Sequence, residues 1–210
     1  MSLIAREPEN ASGDFTPAPE GTHIGVCCLV ADVGTQDGEF GKKDQVILSW
    51  LLPDHPIGEE QLPMSTSRRY TNSLHERATL RQHLEAWRGK SFSDEELAGF
   101  DLRKIAGKPC TVSIIHKKRD DGRVYDKVNG VAQVPKSVKV DTKDVTPVTW
   151  EVEKAIAGEH PWDAVPKWVQ NVAKESEQYK ASQGIAQTVR EETEASTAPS
   201  DDKEEDDIPF

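Results

Sequence analysis

Cysteine is scarce in this chain: Cys27, Cys28 and Cys110 are its three thiols in 210 residues. Neighbours on a strand point to opposite faces, so Cys27 and Cys28 are poorly placed to bond each other. No Cys-x-x-Cys pair occurs and the six His are scattered, which argues against a zinc site or a disulfide framework. Buried or half-buried reduced thiols are expected, with no metal and no cofactor. Long apolar runs are missing too. No segment approaches bilayer-spanning length, and MSLIAREPENASGDFTPAPEG has no signal-peptide core, so no membrane role is expected. Enzyme signatures are equally absent: no phosphate loop, no Gly-x-Ser-x-Gly, no His-Glu-x-x-His. His116 and Cys110 alternate onto one strand face but stand six residues apart. Carboxylates are dense only in the C-terminal tail, which is too mobile to hold reacting groups. The chain does not read as an enzyme.

What is present is a charge asymmetry. The net charge is −11, and Glu191–Phe210 alone contributes −8 from nine Asp/Glu and one Lys. Arg103–Lys143 holds eleven Lys/Arg against four Asp/Glu, a net of +7. A basic body segment with an acidic tail suits a protein that binds polyanions and carries a competing anion of its own. The tail closes in Asp206-Asp207-Ile208-Pro209-Phe210. Such a tip can be held: a pocket for the Phe210 ring, basic groups for the α-carboxylate and the Asp side chains, and Pro209 fixing φ in advance. The plainer reading is a solvating acidic tail.

With 35 % hydrophobic and 30 % charged residues, the chain fits one core with long extensions. Residues 1–20 read as a flexible arm, and 21–143 as the folded domain. Within it, strands are expected over His23–Asp32, Val46–Leu52 and Met64–Thr71, with a Gly-rich loop over Val33–Lys43. A helix follows, opened by the capping box Ser73-x-x-Glu76 and stopped at Gly89, with Leu74, Ala78, Leu80, Leu84 and Trp87 on its apolar face. Ser93-x-x-Glu96 and Asp101 open two short helical turns. Strands are expected over Cys110–Lys117 and Val124–Val134, with Asn129-Gly130 either a second turn or a bulge. Residues 144–181 form a Trp-containing extension with a helix over 166–181 and an apolar stripe of Val165, Trp168, Val169 and Val172. Residues 182–199 read as a disordered linker and 200–210 as the docking tip. The fold class is mainly β. A helix between the third and fourth of five antiparallel strands resembles the OB-fold, a partly open barrel that binds oligonucleotides over strands 2 and 3.

Binding single strands without sequence preference takes a positive groove and exposed rings on which bases stack. The candidate DNA-binding residues are Lys42 and Lys43 with Phe40 in the first loop, Trp50 on the second strand, and Arg68, Arg69 and Tyr70 on the third. Lys117, Lys118, Arg119, Arg123, Tyr125 and Lys127 surround the last hairpin. Trp50 alternates with Val46, Leu48 and Leu52, so core and stacking roles are both open. Tyr70 lies in a polar stretch beside two Arg, which favours exposure. Lys117–Arg119 also fits an ordinary solvated hairpin tip.

The tip resembles, letter for letter, that of bacterial single-stranded DNA-binding proteins. The stretches GTHIGVCCLVADVGTQ, YTNSLHERATLRQHLEAWRGKSF and LAGFDLRKIAGKPCTVSIIHK resemble phage-type single-strand binders. The helix after the third strand is longer than in the bacterial proteins and the Trp-containing extension has no counterpart there, so the bacterial tetramer does not carry over. The resemblance implies a protein that coats and protects single-stranded DNA in replication, recombination and repair, in a bacterial host cytoplasm. It also implies recruitment of partner enzymes through Asp206, Asp207, Ile208, Pro209 and Phe210. The alternatives are an adaptor or decoy that binds host repair enzymes with little DNA affinity, and an RNA-binding OB protein.

Overall fold

The computed structural model describes residues 16–39, 41–58 and 62–184. The expectations placed on 1–15, on Phe40 and on 185–210, including the tip Asp206–Phe210, lie outside the described residues.

Two long antiparallel strands organise the sheet: β1 (Gly21–Gln36) and β2 (Lys43–Ile57). β3 (Leu62–Thr71) extends it beyond β2. On the other edge of β1, β4 (Pro109–Lys118) pairs with Gly21–Val26, and β5 (Val124–Ala132) pairs with β4. Past the point where β4 leaves, β6 (Val148–Glu151) pairs in parallel with Leu29–Asp32. The fold is mainly β, an open six-stranded sheet in the order β3-β2-β1-β4-β5 with β6 beside β1. It curls until its edges approach. Thr66 on β3 donates to the Asp126 carboxylate on β5, and the Arg68 guanidinium donates to the Val128 carbonyl. No ladder joins these two edges among the described residues.

Strand alternation sends Val46, Leu48, Trp50 and Leu52 of β2 into an inner core. Ile47 goes to an outer one, so the run VILSWLL is buried on both faces. β1 does the same by means of a bulge. Cys27 faces Trp50 and Leu29 faces Ser49, so Cys28 is an extra residue that resets the alternation. Cys27 and Val30 therefore face inward, while Leu29, Ala31 and Val33 face outward. A second irregularity spans Asp32 to Thr35, where Gly34 sits at φ 73. Asn129-Gly130 also resolves as a bulge: Ser113 faces Gly130 and Ile114 faces Val128. β2 runs past Pro53, the expected stop: beyond Leu51 it no longer pairs with β1, and Pro53 falls in the irregularity between Leu52 and Pro56 where the β2–β3 pairing shifts register.

α1 (Thr79–Arg88) closes one end of the inner core with Leu80, Leu84 and Trp87, and the Trp87 indole donates to the Pro109 carbonyl at 2.8 Å. Its stop is Gly89, at φ 67, as expected. Its start is not Ser73. The Ser73 hydroxyl accepts from the His75 amide in a local turn, and the helix begins six residues later behind Ala78. The box at Ser93 does form and opens α2 (Asp94–Ala98), and Asp101 accepts from the Arg103 amide.

The extension covers the outer face of β1 and β2. Trp150, Val152, Ala155, Val165, Val169 and Ala173 pack on Leu29, Ala31, Val33 and Ile47. They come from β6, α3 (Val152–Ile156), Val165 and α4 (Lys167–Lys174). The expected single helix is broken at 175–176 and resumes over 177–184, three residues into the expected linker. Trp168, expected in the buried stripe, is 45 % exposed, and half-buried Trp162 takes its place between Trp150 and Tyr179. Residues 16–20 are not a free arm: Ala18 is buried, and its carbonyl and the Glu20 carboxylate are bonded to His116.

Candidate nucleic-acid interface

The end of β3, the start of β2 and the 72–78 loop enclose a cleft of about 570 Å³. Lys43, Arg68, Arg69 and Arg77 line it with Ser73 and His75, and no carboxylate among the described residues does. The placement follows from the strands. Arg69 alternates outward opposite Ile47, and Arg68 inward opposite Leu48. An inward Arg is tolerated because its guanidinium meets a carbonyl on the free edge of β5 and lies 5.3 Å from the Tyr70 ring centre. Arg68 is therefore half-buried and partly structural, whereas Arg69 and Arg77 are exposed.

Neither proposed stacking ring is available. Trp50 is fully buried, on the inward side of β2, 6.2 Å from the ring of Trp87. Tyr70 lies opposite Val46 on the same inward side and is 4 % exposed. Its hydroxyl bonds His83 Nδ1 at 2.9 Å. Burial pushes the Tyr70 phenol well above its ordinary range. The same burial, reinforced by the charge on Arg68, lowers His83 from 6.5 to about 4. His83 is thus neutral at pH 7 and matches an uncharged phenol.

This pair makes stability pH-dependent. A histidine whose folded pKa is depressed binds its proton more readily in the unfolded chain, so its contribution is complete above pH 6.5 and is lost as pH falls toward about 4. The expected loss is on the order of 2 kcal/mol, discounted because the ring keeps some solvent. Urea midpoints across that window should fall more steeply for the wild type than for His83→Gln. Parallel curves would remove the Tyr70–His83 pair as the cause.

The remaining candidates divide into two groups. Lys117, Lys118, Arg119, Arg123 and Lys127 are exposed around the β4–β5 hairpin, and Tyr125 is half-buried. Arg119 lies 5.2 Å from the Tyr125 ring centre. Arg123 bonds Asp121 at 2.7 Å, which stiffens the turn and offsets part of its charge. The Thr66–Asp126 and Arg68–Val128 bonds show β3 and β5 running side by side in the same direction. Lys127, between Asp126 and Val128, therefore borders the seam that leads from the cleft toward the hairpin tip. Lys42 leaves the group: its ammonium pairs with Glu177 of the extension, which also raises its pKa. Gln178 and Thr35 bond each other twice nearby, and Gly34 is needed there because a Cβ would stand 2.6 Å from Gln178 Oε1.

Sequence reasoning missed Arg77, Ser73 and His75, because the capping box at Ser73 assigned them to a helix. A third Arg eight residues beyond Arg69 was the available signal. The described residues hold no cluster of metal-ligating side chains. The three thiols are free; burial raises all of them, Cys27 to about 12 and Cys28 to about 11, so they stay protonated at neutral pH. Comparison of the chain with protein-family models and with curated proteins finds no match. No helix among the described residues is long and apolar enough to cross a membrane.

Proposed function

We propose that this is a single-stranded DNA-binding protein of the OB-fold type, with no catalytic activity and no cofactor. The observation that carries the reading is the cleft lined by Lys43, Arg68, Arg69 and Arg77, with no carboxylate among its described lining residues. In a chain of net charge −11, such a concentration of cations marks a place for a polyanion. The strand order supports the OB-type fold: β5 lies against β3 through side-chain bonds, and α1 falls between β3 and β4. The protein coats exposed strands in a bacterial host cytoplasm and brings replication, recombination and repair enzymes to them through Asp206–Phe210.

Gel-shift titrations with oligo-dT, duplex DNA and RNA of equal length test this. Oligo-dT should bind best. Its affinity should fall with salt at a log–log slope of about −0.7 per phosphate neutralised. Absence of single-strand binding at low salt would leave the adaptor reading in its place, and preference for RNA would leave the RNA-binding one.

A further inference from the structure

We infer that the cleft grips the sugar–phosphate backbone of the strand and leaves the bases unread. The inference rests on the single-strand reading above and goes beyond it by naming what is recognised. All four cations of the cleft are suited to phosphate, and the three Arg offer planar forks that match its oxygens. The start of α1 opens onto the same space. Thr79 and Leu80 line the cleft, and the N-cap Ala78 has no side chain able to accept from the first-turn amides. Those amides and the positive end of the helix add to the attraction of the four cations.

The rings argue in the same direction. Stacking needs an open aromatic face. Tyr70 is the one phenyl or indole ring among the described residues of the cleft lining, and it is 4 % exposed with its hydroxyl bound to His83. His75 is exposed in the lining, and its Nδ1 accepts from the Arg77 amide at 3.3 Å, which ties the imidazole to the loop. Trp50, Trp87 and Trp150 are buried. The exposed Trp168 and the half-buried Tyr125 are not in the cleft lining. Among the described residues the cleft therefore offers charge and hydrogen bonds to phosphate, and no open phenyl or indole face.

The test uses full-length protein and three probes: oligo-dT, an abasic deoxyribose-phosphate strand of the same length, and inorganic polyphosphate. Losing even one stacked base would weaken binding by roughly 5- to 150-fold. The abasic strand should instead bind within about threefold of oligo-dT, below that range. Arg69→Ala/Arg77→Ala should weaken both by on the order of tenfold and flatten each salt slope by about 1.4. Both side chains are exposed, and the 4.0 Å contact of Arg77 with Glu76 is a solvated pair, so the fold should survive. An abasic strand that binds tenfold or more below oligo-dT would overturn backbone recognition while leaving the single-strand function intact. Unchanged affinity for both strands in the double variant would move the site elsewhere. Binding of polyphosphate with no binding of either strand would reduce the cleft to a small-anion site and sink the functional reading as well.

Discussion

Trp50→Ala should unfold the protein or bring it close to unfolding. The indole is fully buried and pairs in register with Cys27 on one side and Thr66 on the other, beneath Trp87 of α1. Removing a buried Trp side chain costs about 3–5 kcal/mol, through lost transfer energy and the cavity left behind. Total stability of a domain this size is about 5–15 kcal/mol, so the variant has little in reserve. Trp50→Phe should be far milder, because much of the ring volume stays and the indole N–H has no hydrogen-bond partner among the described residues. Urea denaturation followed by far-UV circular dichroism separates the cases. A Trp50→Ala protein of wild-type midpoint that binds oligo-dT less well would return Trp50 to the groove and remove it from the core.

The same residue shows what was legible in the sequence. Period-two alternation already grouped Trp50 with Val46, Leu48 and Leu52, and all four are inward. Tyr70 misled because its neighbours Arg68 and Arg69 are polar. Its orientation is set by the pairing of Val46 with Tyr70, a fact about two strands that a single stretch of sequence does not contain. The five strands β1 to β5 in chain order and the helix between β3 and β4 were legible because apolar runs are broken by strong turn residues, such as Asp121-Gly122; the sixth strand, β6, was not expected, and the sheet is open where a five-stranded barrel was. The start of α1 was not, because Ser73 satisfies the same local pattern with a turn as with a cap. The covered outer face left a trace that was not used: Leu29, Ala31, Val33 and Ile47 are apolar at positions that a one-sided sheet would leave polar. The bulge at Cys28, which turns β1's apolar residues to both faces, has no sequence signature at all.

Deleting Phe210 should abolish capture of partner enzymes and leave DNA affinity almost unchanged. The expectation rests on the chemistry of the Ile-Pro-Phe segment beside Asp206 and Asp207. The ring is the apolar group a pocket would take, and its loss removes no charged side chain. Deleting Ser200–Phe210 is a different perturbation. It removes six carboxylate side chains and one ammonium, a change of +5 in side-chain charge, from a chain whose cleft is lined by four cations. Under the proposed function those carboxylates compete with phosphate for the cleft, and on that reading this deletion should tighten oligo-dT binding, most at low salt, where attraction is least screened. It should also end partner capture. Pull-downs from bacterial lysate and salt titrations on full-length, Phe210-deleted and Ser200–Phe210-deleted protein read the two effects separately. Equal capture by all three would dismiss the tip as a docking element. Equal DNA affinity at low salt for the full-length and shortened proteins would dismiss the tail as a competitor, and the charge asymmetry of the chain would then need another purpose.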